Sequence, residues 1–298
     1  MTTTAATAAA APVASRAAAS AVPPARRVSL APLLLHVALV LGAIAALVPT
    51  FWMVSASLMP TGEANSFPPR FIPSAVTFEH YAAVFSRLNL GRYLLNSSIV
   101  AISGTLCALV INAMAGYAFA KLHFRGRDRL FRIMLAALVI PSQVGMLPLF
   151  LLLKRMGLVN TYVGAIVPVM ASIFGIFMIR QYALSIPDDL LDAARIDGAG
   201  ELRIFATIVL PVITPILATF AIFTFINTWN DFMWPLIILS DESRYTLPVA
   251  LANLSGEHVQ DTELMMAGSV VTVLPVMLAF LFLQRYYIAG VMQGSVKG

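Results

Sequence analysis

Residues 94–120 read LLNSSIVAISGTLCALVINAMAGYAFA, a stretch without one charged side chain. A helix rises ~1.5 Å per residue, so about 20 residues cross a hydrocarbon core of ~30 Å. In lipid every backbone N–H and C=O must be satisfied inside the segment or in a closed barrel. The stretch is rich in Leu and Ala and lacks the ten-residue alternation of barrel strands, so it is read as a helix. Comparable runs occupy 31–58, 130–153, 163–184, 208–238 and 265–288. The chain is therefore expected to be an all-α integral membrane protein with six transmembrane helices. Pro141 and Pro148 fall in the third run, and Pro211, Pro215 and Pro235 in the fifth, where kinks are tolerable because neighbouring helices re-satisfy the freed carbonyls.

Composition agrees. Apolar residues make up 59% of the chain and charged residues 11%, where a soluble domain carries about a quarter charged. The single cysteine, Cys107, excludes a disulfide framework, and His36, His80, His123 and His258 have no metal-ligand spacing. A net charge of +5 would suit nucleic acid, but the basic residues sit at the ends of apolar runs, so membrane lipid and not nucleic acid is the expected environment.

Residues 1–28, rich in Ala and Thr, cannot bury a core and read as a disordered cytoplasmic N-terminus. Arg26 and Arg27 before an apolar run resemble a signal peptide, yet the run is too long for one, which favours an uncleaved first helix. Residues 29–93 then hold that helix and an outer loop with a short helix near 78–85. Residues 94–290 form the core, and 291–298 a cytoplasmic tail. With the amino terminus inside, inner segments hold thirteen of the nineteen Lys and Arg, and outer segments six. Lys121–Arg132 (KLHFRGRDRLFR) weighs most, and both termini are expected in the cytoplasm. The outer loop 241–264 is acidic.

The cytoplasmic segment 185–211 reads SIPDDLLDAARIDGAGELRIFATIVLP. Ser185-Ile186-Pro187-Asp188 has the pattern of a helix start with Pro in the first turn. Gly198 and Gly200 end that helix, and a second begins near Glu201 with Ile204, Phe205 and Ile208 on one face. The reading is a short amphipathic hairpin. From physics alone it is either a loop lying on the membrane or a knob for a protein. Its acids Asp188, Asp189, Asp192, Asp197 and Glu201 outnumber Arg195 and Arg203, which argues against anionic headgroups.

Asp192-Ala193-Ala194, Asp197-Gly198-Ala199 and Ile208-x-Leu210-Pro211 resemble the EAA signature of bacterial ABC importer permeases, with Asp192 where that family usually has Glu. Further segments resemble the carbohydrate branch of that family, the maltose permease group, across roughly 30–298. These are Asn96-Ser97, Gly116–Lys121, Met146–Phe150, Lys154–Leu158, Asn230–Leu236, Tyr245–Pro248 and Gly294-Ser295-Val296-Lys297-Gly298. The resemblance implies a type I importer permease fold in the bacterial cytoplasmic (inner) membrane. It also implies that 185–211 couples to an ATPase and that the tail 294–298 inserts between ATPase subunits. The implied partners are a second homologous permease, two ATPase subunits and a periplasmic or surface-anchored sugar-binding protein. The cargo would be a mono- or oligosaccharide or glycerol phosphate. The chain has no GxxxxGK[ST] sequence, so ATP is expected on the partner ATPase, and no cofactor or enzyme activity is expected here.

Asp231 is the one acid placed inside a run, beside Trp229 and Trp234, whose pattern resembles an interfacial aromatic belt. It has either a structural role or, with Asn227 and Asn230, a place in an outer gate or sugar path. Phe220, Phe223 and Phe225 read as packing residues. An ion-coupled secondary transporter is the alternative, but such proteins set several ionisable groups at mid-membrane.

Overall fold

In a computed structural model the described residues are 30–257 and 261–295, with side chains described for 32–253 and 261–282. Expectations for residues 1–28, His258, Val296, Lys297 and Gly298 lie outside the described residues. All regular elements among those described are helical. The chain divides into two units, residues 1–48 and 49–298. Helix α1 (Leu30–Ala56) begins in the first unit and ends in the second, and within the first it leaves Leu33, Leu39 and Leu47 each about 60% exposed. An all-round apolar surface of this length suits lipid.

The second unit continues with α2 (Glu79–Ser86), α3 (Leu90–Lys121), α4 (Arg127–Ala137), α5 (Ser142–Arg155), α6 (Tyr162–Met170) and α7 (Ile173–Ala183). Then come α8 (Asp188–Ile196), α9 (Glu201–Ile204), α10 (Leu210–Asn230), α11 (Met233–Ile238), α12 (Leu247–Glu257) and α13 (Thr262–Ser295). Among the described residues, four stretches are long and apolar enough to cross a membrane, or six if each of two bent pairs counts as one span.

The bends correct the expected spans. The third is two helices, α4 and α5, meeting at 107° with Pro141 leading into α5. Pro141 has no N–H for a helical ladder and disfavours helical geometry at Ile140, so α4 stops before it. The fourth breaks between α6 and α7 by 42°, where Ala171 and Ser172 are extended. Asn112 of α3, fully buried, satisfies this break: its Oδ1 accepts from Ser172 N at 2.9 Å and its Nδ2 donates to Met170 O at 3.1 Å. The fifth ends at Asn230, and α11 restarts after Asp231-Phe232.

Helix α3 is the axle of the second unit, packing on α6, α7 and α10. A Cβ on Gly116 would stand 2.7 Å from Ile179 Cγ2, so α3 and α7 approach this closely only with glycine there. At Gly104 the nearest neighbour is at 3.6 Å, an ordinary contact that does not demand glycine. Near its start, Asn96 donates to the carbonyls of Ser243 and Tyr245 and accepts from the Tyr162 hydroxyl, while Ser97 Oγ accepts from Leu247 N. These bonds pin the first part of loop 241–264, which also forms α12. Trp229 and Trp234 are not an interfacial belt. Both are buried, and their indole N–H groups donate to the carbonyls of Thr272 and Gly164. A buried indole needs such a partner, and the core supplies it.

Candidate functional site

Segment 185–211 forms the expected hairpin, anchored at its base. Leu191 and Ile204 are buried in one cluster with Ile186, Tyr117, Ile179 and Ile213. Helix α8 closes with a Schellman motif: Ala199 N donates to Ala194 O at 2.9 Å and Gly198 N to Arg195 O at 3.0 Å. Gly198 has φ +81°, and no atom lies within 4 Å of where its Cβ would stand. Its requirement is thus backbone conformation and not space.

The helix start differs from expectation. Pro187 precedes α8 instead of lying in its first turn, and Ser185 Oγ donates back to Tyr182 O and does not cap α8. The junction is held by Lys121, the last residue of α3. Its ammonium donates to Ile186 O at 2.6 Å, to Asp188 Oδ1 at 2.8 Å and to Leu184 O at 3.5 Å. Lys121 is 7% exposed, so the residue expected to anchor at the cytoplasmic surface is an internal clamp. The Lys121 hydrogen bond and charge hold the Asp188 carboxyl below its ordinary 3.8.

A second tie joins α3 to α9. Tyr117 OH donates to Glu201 Oε2 at 2.6 Å, Arg195 Nε donates to Glu201 Oε1 at 2.8 Å, and Arg195 also donates to Asp192 Oδ1 at 2.6 Å. Asp192 therefore has a partner within its own helix, although its side chain remains 61% exposed. Ala193, Asp197 and Gly198 are exposed, while Ala194, Ala199 and Ile208 are half-buried. Between α9 and α10 the chain makes a π-helical turn, Phe205–Val209, with Leu210 N bonded to Phe205 O. Leu210 and Pro211 follow at once, and the wider turn accommodates a ring that an α-helical ladder would reject. The second helix of the hairpin is thus continuous with the fifth span.

Elsewhere a cleft of about 570 Å³ lies between α5, the α6–α7 break, α10 and α11. Asn227 and Asp231 line it, together with Ser142, Gln143, Ser172, Thr224, Phe174, Phe220 and Phe223. Asn230 is exposed and does not line it. Asp231 ends α10, and its Oδ1 accepts from Trp234 N at 3.4 Å in the first turn of α11. Phe223 is 36% exposed and Phe220 only 3%, so the expected packing role describes Phe220 better. Gly294 and Ser295 continue the α13 backbone.

Sequence reasoning missed Lys121, Tyr117, Asn112 and Gln143 as site residues. Lys121 and Tyr117 stood inside a noted segment, but the only sequence signal, a lysine ending an apolar run, reads as topology.

The sequence pattern of the family described as binding-protein-dependent transport system inner membrane component matches residues 108–293, which contain hairpin and cleft. The arabinooligosaccharides transport system permease protein AraQ of Halalkalibacterium halodurans is 40% identical over 256 residues, covering 85% of this chain and 92% of that protein. The diacetylchitobiose uptake system permease protein NgcG of Streptomyces coelicolor is 35% identical, covering 88% of each. Among solved structures, a bacterial ABC transporter involved in import of the acidic polysaccharide alginate superposes with a TM-score of 0.77 at 24% identity, covering 87% of this chain and 96% of that one. By this pattern and these relatives the chain belongs to the family of binding-protein-dependent transport system inner membrane components, the multi-pass permeases of ABC importers.

Proposed function

We propose that this permease passes a sugar across the bacterial cytoplasmic membrane, driven by ATP hydrolysed on partner ATPase subunits that dock on the hairpin 185–211. The supporting observation is the surface of that hairpin. Ile196 is 86% exposed and Leu202 73%, set among Asp189, Asp192 and Asp197. Apolar side chains among acids fit neither water nor an anionic bilayer, and a protein groove with basic rims accommodates both. The base is fixed to α3 twice, so displacement of the tip is carried to the axle. The chain itself holds no ATP. A second homologous permease completes the pathway, and a sugar-binding protein delivers cargo to the outer face. Both termini face the cytoplasm.

The cleft at Asp231 supports the sugar reading. Its hydroxyls, amides and carboxylate offer hydrogen bonds, and Phe174 and Phe223 offer apolar faces, which together suit a polyhydroxylated ring. The test is co-purification of the ATPase with the permease carrying Ile196→Glu and Leu202→Glu, followed by sugar uptake in vesicles. Loss of the ATPase with the permease still inserted is expected. Retention of both binding and uptake would remove the hairpin from the mechanism.

A further inference from the structure

The turn between α3 and α4 forms a second surface of opposite sign to the hairpin. Its cavity, about 490 Å³, is walled by residues 123–129. Of the acids and arginines there, Asp128 is neutralised by Arg127 at 3.0 Å, while Arg125 and Arg129 carry no hydrogen bond or ion pair among the described residues. Two exposed guanidinium groups thus face solvent without a counter-charge, whereas the exposed His123 has the Asp188 carboxylate as a neighbouring charge. Beside them Phe124, Leu130 and Ile133 are 41%, 48% and 58% exposed.

We propose that this turn binds the phosphate of an anionic phospholipid headgroup. The guanidiniums supply planar, charge-assisted donors for phosphate oxygens. The apolar neighbours distinguish this site from one for a dissolved anion. A free phosphate has no use for exposed Phe124, Leu130 and Ile133, whereas a lipid continues from its phosphate into glycerol and acyl chains. The α4 helix is amphipathic in the matching sense, burying Phe131 inward and turning Leu130, Arg132 and Ile133 outward. Charge also separates this surface from the ATPase contact. Lys121 ties the end of α3 to Asp188, so hairpin and turn lie at the same end of α3, one acidic and one basic. A partner groove complementary to the first repels the second. The site also gives the membrane surface a grip four and eight positions beyond the Lys121 clamp.

The test uses the assembled transporter, delipidated and re-exposed to phosphatidylglycerol or phosphatidylcholine, with retained lipid counted by native mass spectrometry. Wild type is expected to retain phosphatidylglycerol over phosphatidylcholine. Each arginine at an anionic surface is worth about fivefold in partitioning, so Arg125→Gln with Arg129→Gln should cut retention by roughly 30-fold. Arg125 lies on the exposed turn and Arg129 is an exposed residue in the first turn of α4, and an unchanged circular dichroism spectrum checks the fold. Equal retention by variant and wild type overturns the proposal. Release of phosphatidylglycerol by inorganic phosphate at matched ionic strength would make it a soluble-anion site, and loss of the ATPase from the variant would make it a protein contact; either result overturns the lipid assignment. Lipid counting does not depend on which cargo is carried, so its failure leaves the importer reading standing.

Discussion

Replacing Lys121 with Met removes the clamp while keeping most of the side-chain volume. The amine at 7% exposure satisfies two carbonyls, Ile186 O at 2.6 Å and Leu184 O at 3.5 Å. The second contact is at the limit of a hydrogen bond and counts for little. An orphaned buried acceptor costs ~1–3 kcal/mol, and returning a buried ammonium's desolvation offsets part of that. The Asp188 arm is exposed at its acidic end and adds little at physiological salt. The net loss is about 2 kcal/mol, borne by docking of the hairpin base and not by the whole fold. That multiplies the undocked population by about 30. Hydrogen exchange of backbone amides in 186–204, measured on the assembled transporter in nanodiscs, should accelerate by the same factor, with α10 protection unchanged. ATP hydrolysed per sugar imported should rise, because strokes of the ATPase then act on a loosened lever. Lys121→Arg, which keeps the charge, should recover part of the coupling. If Lys121→Met leaves both exchange in 186–204 and the hydrolysis-to-transport ratio at wild-type values, the clamp does not transmit force and this reasoning fails.

Gly198→Val meets no steric neighbour, so its cost is the left-handed backbone at φ +81°, about 1–2 kcal/mol, and it should weaken ATPase co-purification without expelling the chain from the membrane. Gly198→Asn, tolerant of that conformation, should be much milder, and equal behaviour of the two variants would contradict the argument. The Asp188 carboxyl lies below 3.8 in the folded state, so its contribution to hairpin docking is complete above that value and is lost as pH falls through the lowered one. Exchange in 186–204 should therefore accelerate modestly below about pH 4 in wild type, and the acid step should be smaller in Lys121→Met, where the Glu201 carboxyl, also held low by its Arg195 and Tyr117 hydrogen bonds, still titrates. Asp231→Asn keeps a side-chain acceptor for Trp234 N at the α10–α11 break but removes the charge from the cleft. A sugar-path role predicts an altered KM for uptake with assembly intact, whereas unchanged kinetics would leave Asp231 as a helix-break residue alone.

The sequence determined the class of fold and the place of the hairpin, because lipid imposes a one-dimensional rule: an uncharged run of about 20 residues must be a helix. Gly198 and Pro211 were legible for the same reason, since φ freedom and a missing N–H are properties of single residues. The breaks were not. The 42° bend at Ala171-Ser172 contains no breaker that outranks Pro148 or Pro168. It exists because Asn112, about 60 positions earlier, supplies the hydrogen bonds the bend releases. Lys121 likewise reads as a surface charge until α7 and α8 close over it, and Trp229 and Trp234 read as interfacial until carbonyls of α13 and α6 take their N–H groups. Each of these depends on partners distant in sequence, and burial with a satisfied polar contact is a property of the packed chain that local pattern does not carry.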